Sequence, residues 1–132
     1  MLARLLDSGK AYEQLERMVR LQGGRLNEVP ALGTISEQVS ESSGYFRAVQ
    51  GQRLGYAVIA LGGGRKFVGQ AIDPTVGLEM LVRIGDKVER GQPLVRIFSS
   101  SNSDRDATTA WLQGAFEVGD TPPMPVPLFQ TL

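Results

Sequence analysis

The chain has 132 residues, one domain's worth, of which 42% are apolar and 7% aromatic, so a globular core is expected and roughly two-thirds of the unfolded surface can be buried. Fourteen Lys and Arg balance fourteen Asp and Glu, which gives no electrostatic case for a nucleic acid or an anionic membrane as partner. Cys and His are both absent, which excludes zinc fingers, thiol nucleophiles, Ser-His-Asp triads, disulfides and any imidazole base, and the lack of Cys fits a cytoplasmic location.

The opening reads as helix. Leu2, Leu5 and Leu6 share a face, Asp7-Ser8-Gly9 interrupts, and Tyr12, Leu15, Met18 and Val19 resume at helical spacing. Glu13–Arg17 and Glu16–Arg20 stand at i,i+4 with the acid first, the favourable order. Gly23-Gly24 ends the helix as a glycine just past a C-terminus does. Residues 25–43 are polar and weakly periodic and read as a connector.

Gly44 to Val49 reads as a short strand. Leu54, Ala57, Val58 and Leu61 form an i, i+3, i+4, i+7 set that predicts a helix over 52–61, although Tyr56 to Leu61 also fits a buried strand. Gly62-Gly63-Gly64 ends either element. From Leu78 to Ile84 the even positions share one face and the odd positions the other, which predicts a strand. Gly85-Asp86 and Arg90-Gly91 turn the chain, and Leu94 to Phe98 predicts a further strand. Ser99 to Ser103 leads into a helix predicted over 104–118, with Ser103 and Asp106 at capping-box spacing and Ala107, Trp111, Ala115 and Val118 as its apolar face. The tail from Thr121 to Leu132 holds four of the seven prolines and is expected to be extended.

Few residues carry chemistry. Gly62-Gly63-Gly64-Arg65-Lys66 combines a flexible backbone with two cations suited to an anion. Its polarity is wrong for a phosphate cradle, because these glycines follow a helix rather than precede one. It is either a helix stop or a loop that approaches a ligand. Asp73 and Glu79 could be paired as acid and base, but Asp73-Pro74 is a common turn opener and Glu79 belongs to the outer face of its strand. Trp111 reads as core packing. The stretch from Val82 to Leu94 is a strand–turn–turn–strand pattern with Val88 and Leu94 pointing inward, similar to that of biotin- and lipoyl-carrier domains. A carrier needs a lysine on a hairpin tip after the second strand. The lysines here are Lys10, Lys66 and Lys87, and none occupies that position.

Taken in order, several of these segments carry a resemblance. They are Leu6 to Ala11, the helix through Met18, Gln22-Gly23-Gly24, Ser43-Gly44-Tyr45-Phe46, Leu54-Gly55, Ala60 to Arg65, Ile72 to Gly77, Gly85 to Val88 and Gly91 to Leu94. Over residues 5–120 this series resembles the C-terminal part of the pyrimidine-nucleoside phosphorylase family, which includes thymidine phosphorylase. The resemblance implies an α+β fold, a hammerhead-type mixed-sheet domain related to biotinyl and lipoyl barrel-sandwich domains, preceded by helices. Residues 1–24 are then a helical segment left from a preceding α/β domain, 25–43 the connector and 44–132 the C-terminal domain. It also implies a homodimeric parent enzyme of pyrimidine salvage, a glycosyltransferase acting on phosphate and a pyrimidine nucleoside, with no cofactor and no metal. The family's catalytic histidine, phosphate loop and base-binding residues lie upstream of the matched segments, so no catalytic residue is assigned here. The segment alone is expected to be an inactive monomer, with Gly62 to Lys66 as a loop at the substrate cleft. The competing expectation is a free-standing hammerhead module for binding or assembly.

Overall fold

The computed structural model describes residues 2–28 and 31–124. Its contacts divide the chain into two compact units, Met1–Ala31 and Leu32–Leu132.

The first unit is a helix pair, α1 (Leu2–Asp7) and α2 (Lys10–Leu21). Gly9 breaks the run because it sits in the left-handed region at φ 74°, where a Cβ is strained. The end of α2 is a Schellman motif: the Gly23 amide donates to the Arg20 carbonyl and the Gly24 amide to that of Val19, at 3.0 and 2.9 Å. Gly23 thus stops the helix, as its position in the sequence predicts. Among the described residues, Glu13–Arg17 and Glu16–Arg20 do not close into ion pairs, since solvated pairs gain too little to order two long side chains.

The second unit is α+β, with six strands among the described residues, arranged in two three-stranded sheets. The first sheet has the order β1 (Thr34–Val39), β5 (Pro93–Ser99), β3 (Gly77–Met80), and the second β4 (Lys87–Val88), β2 (Gly44–Val49), β6 (Phe116–Gly119). Each pairing is antiparallel, where the resemblance implied a mixed sheet. Helices α3 (Gly51–Leu61) and α4 (Asn102–Leu112) complete the unit.

Two apolar clusters hold it together. Val95 and Ile97 on β5 pack with Ala57 and Leu61 of α3 and Leu112 of α4. Phe46 of β2 packs with Val82, Val88 and Leu94. Phe116 borders both clusters, so the two sheets share one continuous interior. Val88 and Leu94 are inward as the turn pattern predicts.

Four expectations are corrected. Residues 34–39, read as connector, form β1, whose polar alternation hides a strand recruited by β5 in register from Thr34↔Ser99 to Gln38↔Val95. The strand expected over 78–84 stops at Met80. There the chain crosses to the second sheet: the Arg83 amide donates to the Asp86 carboxylate at 2.7 Å, and the turn is pinned to β2 by Phe46 N–H to Asp86 C=O and Gly85 N–H to Phe46 C=O, both 2.8 Å. Val82 therefore joins the second cluster while Ile84 is exposed. The helix expected over 104–118 ends at Leu112, because Gly114 turns the chain at φ 69° and Phe116 onward pairs with β2. Its buried face is Thr108 and Leu112, one residue on from the predicted Ala107 and Trp111.

The cap of α4 is the fourth. Ser101, not Ser103, is the N-cap; its hydroxyl accepts from the Asp104 amide at 3.2 Å and donates to the Asp104 carboxylate. Ser101→Ala is expected to cost about 1 kcal/mol of stability, read from the urea midpoint at unchanged slope. Ser103→Ala should cost clearly less. The helix assignment over 52–61 holds and extends back to Gly51. Of the proline-rich tail, residues 125–132 lie outside the described residues. Among the described residues no helix is long and apolar enough to cross a membrane.

Candidate functional site

The last turn of α3 and the loop after it present the only clustered cations that the sequence singles out. Helix α3 ends because Gly62 takes φ 93°, and the Gly62 and Gly63 amides donate to the Ile59 and Val58 carbonyls at 3.1 and 3.0 Å. Gly63 and Gly64 have a different reason to be glycine. A Cβ on Gly63 would stand 3.0 Å from Val58 Cγ1 and 3.3 Å from Val76 Cγ2, and one on Gly64 would stand 2.7 Å from Ile59 Cγ1. The loop backbone lies directly on the helix, so all three glycines are used by turn and packing.

Gln70 clamps the loop from the other side. Its carbonyl accepts from Arg65 Nε at 3.2 Å and its side-chain oxygen accepts from the Lys66 amide at 2.7 Å. Arg65 and Lys66 stay exposed, and among the described residues neither enters an ion pair. The Gly62 carbonyl accepts from the Asp73 amide at 3.0 Å. Phe67 and Val68, between the cations and Gly69, are two-thirds and wholly exposed.

Arg65 and Lys66 share an open recess of about 530 Å³ with Tyr56, Ile59 and Ala60 of α3 and Trp111 of α4. Tyr56, Ile59 and Ala60 fall at i, i+3, i+4, beside the buried Ala57–Leu61 face of the same helix. Trp111 is not core. It is 41% exposed and stacks on Tyr56, 43% exposed, with ring centroids 4.8 Å apart and planes tilted by 31°. The reason is register: Thr108 and Leu112 take the inward positions, which turns Trp111 about 100° away along the helix surface. Arg53 locks the two helices in place by donating from Nη1 to the Gln113 carbonyl at 2.7 Å, at the end of α4.

Lys66 also borders a second recess with Gln70, Asp73, Ser100 and Asp104. Asp73 Oδ1 accepts from the Thr75 hydroxyl at 2.6 Å and the Thr75 amide at 2.9 Å. The Thr75 hydroxyl and then its amide hold the carboxyl below the usual range, with a smaller contribution from the Ser100 hydroxyl, and outweigh the opposing effect of burial. A depressed folded-state value means that Asp73 stabilises the fold at neutral pH and loses that contribution as acid protonates it.

Glu79 is engaged elsewhere. It faces Arg96 across β3 and β5 at 2.8 Å, and Arg96 also reaches Glu37 on β1 at 3.5 Å. Asp73 serves a turn and Glu79 an ion-pair row on the sheet, so the structure does not join them as acid and base. Lys87 lies on β4, its ammonium 5.5 Å from the centre of the Tyr45 ring, and Ser99 to Ser101 run directly into α4. Among the described residues no group of His, Cys, Asp or Glu is arranged to hold a metal.

The sequence singled out Gly62 to Lys66 as a candidate loop and did not indicate that Tyr56 and Trp111 share a recess with its cations, or that Phe67 and Val68 beside them are exposed. A signal for the last two was present: two apolar residues between a pair of cations and a glycine, with no periodicity to bury them. Tyr56 and Trp111 carried none, since an aromatic on an amphipathic helix defaults to the interior. A family model described as the pyrimidine nucleoside phosphorylase C-terminal domain matches residues 45–119, from β2 through β6.

Proposed function

The chain belongs to the pyrimidine nucleoside phosphorylase C-terminal domain family, and on that premise we propose that it serves as the rigid covering domain of such an enzyme, closing the substrate cleft and carrying none of the bond chemistry. The parent reaction is reversible phosphorolysis: a phosphate oxygen bonds to the anomeric carbon, the bond from that carbon to the base nitrogen breaks, and the base takes up the proton that the phosphate gives up, so that free base and pentose 1-phosphate result. Transition-state stabilisation requires groups placed around both phosphate and base. This chain has no histidine to polarise the base.

The observation that carries the reading is the loop of residues 62–70. It offers two cations outside any described ion pair and two exposed apolar side chains on a backbone clamped by Gln70 and seated on α3. Such a surface is suited to meeting an opposing face when a cleft closes. Packing of the glycines argues that the loop moves with its domain rather than flexing by itself. In the longer enzyme, Arg65→Ala is expected to lower kcat/KM about tenfold, the size of one lost charge-assisted contact. The melting temperature should change by less than about 2 °C, because Arg65 makes one exposed hydrogen bond. Steady-state kinetics with thymidine or uridine, beside a thermal melt, reads both. Normal kcat/KM with a lowered melting temperature would make the loop a helix terminator and Arg65 a structural residue.

A further inference from the structure

The recess between α3 and α4 has a composition that cleft closure does not require. We propose that it is a binding site for a nucleoside monophosphate, with the base stacked on the Tyr56–Trp111 pair and the phosphate held by Arg65 and Lys66. The inference goes beyond the covering role above: it draws on the same two cations but needs only this chain, so its test does not involve the longer enzyme.

Three features point to that ligand. First, the aromatic pair is built, not incidental. Each ring covers one face of the other at 4.8 Å and remains more than two-fifths exposed. The helices that carry the rings are tied by the Arg53–Gln113 bond and by the Thr108 hydroxyl, which donates to the Ala57 carbonyl at 3.4 Å. A fixed, partly open aromatic surface is a stacking platform that accepts any base.

Second, both cations reach the same recess as the rings. Their backbone is already ordered by Gln70 and by the close seating of Gly63 and Gly64, so binding orders little that is free. The Arg65 fork donates from Nε to the Gln70 carbonyl, which leaves its terminal nitrogens to meet a phosphate. The nearby carboxylates Asp73 and Asp104 are held by Thr75 and by the Ser101 cap, and neither lines the recess that holds the rings.

Third, size and charge restrict the ligand. A volume of about 530 Å³ lies within the range of small-molecule sites, and an apolar lining with a few polar groups is their usual composition. Two cations in a chain of zero net charge match one phosphate monoester. They fall well short of the run of phosphate contacts that a nucleic-acid strand needs.

The test uses the single tryptophan of the chain as its own probe. The 132-residue protein is titrated with adenosine 5′-monophosphate, adenosine and inorganic phosphate while Trp111 fluorescence is followed, and equilibrium dialysis with labelled nucleotide reads binding that leaves emission unchanged. The nucleotide is expected to saturate below about 1 mM, with adenosine and phosphate each at least about tenfold weaker because each keeps half of the contacts. Arg65→Ala and Lys66→Ala should each weaken the nucleotide about tenfold, and Tyr56→Ala should weaken nucleotide and adenosine alike. All three side chains are exposed, so an unchanged melt confirms that the variants are folded. Saturable binding of phosphate as tight as that of the nucleotide would overturn the stacking half. Equal binding by adenosine, or indifference to both cation substitutions, would overturn the phosphate half. No binding by either method up to about 10 mM would overturn the whole.

Discussion

Phe46→Ala is expected to destabilise the 32–132 unit by about 3–5 kcal/mol, the range for emptying a well-packed aromatic site. Phe46 is 1% exposed and is among the largest fully buried side chains of the described residues. It packs on Val82, Val88 and Leu94, three residues from the crossing between sheets, β4 and β5, and its ring lies 6.0 Å from that of Phe116. Its backbone holds the Gly85-Asp86 turn through two hydrogen bonds. These bonds keep the turn in place, so neighbouring side chains cannot collapse fully into the vacated space. The loss is a large share of the 5–15 kcal/mol typical of a whole domain. Urea unfolding followed by Trp111 emission measures it, the midpoint falling at constant slope. A cost below about 1 kcal/mol would mean that Phe116 swings in to fill the cavity and that the two clusters are less fixed than the packing implies.

Gly33→Ala should be the second severe change, about 2–3 kcal/mol, although Gly33 has no buried side chain to lose. A Cβ there would stand 2.5 Å from the Ser99 carbonyl oxygen and 2.8 Å from its carbon. Both are backbone atoms of the central strand β5, so relief requires β1 to move off β5 rather than a rotamer to change. Gly33 also donates to the Thr75 carbonyl at 2.8 Å, which ties this point to the turn that Asp73 opens. Gly55→Ala is the internal control. Gly55 lies inside α3 with nothing within 4 Å of its would-be Cβ, so alanine there should stabilise by about 0.5–1 kcal/mol. Paired thermal and urea unfolding of the two variants should give opposite signs. A shared sign would show that helix propensity or strand contact has been misjudged.

Local rules were enough to locate much of the molecule. Helices α2 and α3, their glycine stops, strand β2, the two turns around Val88 and the inward set Val88 and Leu94 all follow from short-range periodicity and from glycine's access to positive φ. The ordered motifs from Ser43 to Leu94 were likewise enough to indicate the family that the 45–119 match shows. In the candidate site, the glycine–cation loop could be singled out because its residues are adjacent in sequence.

The remainder depended on pairings between residues far apart in sequence. Strand β1 exists because β5, some sixty residues on, supplies its hydrogen-bond partners. The end of β3 at Met80 was decided by hydrogen bonds to Phe46, and the end of α4 at Leu112 by the competing claim of β2 on Phe116 to Gly119. Trp111 became a surface aromatic because α4 buries Thr108 and Leu112 against α3 and β5. A 3.6-residue repeat marks which residues share a face, but which face turns inward is set by the partner that covers it. For the same reason the platform of Tyr56 and Trp111, fifty-five positions apart, was invisible in the sequence while the loop beside it was plain: composition places the cations, and only the packing of two helices brings the rings to them.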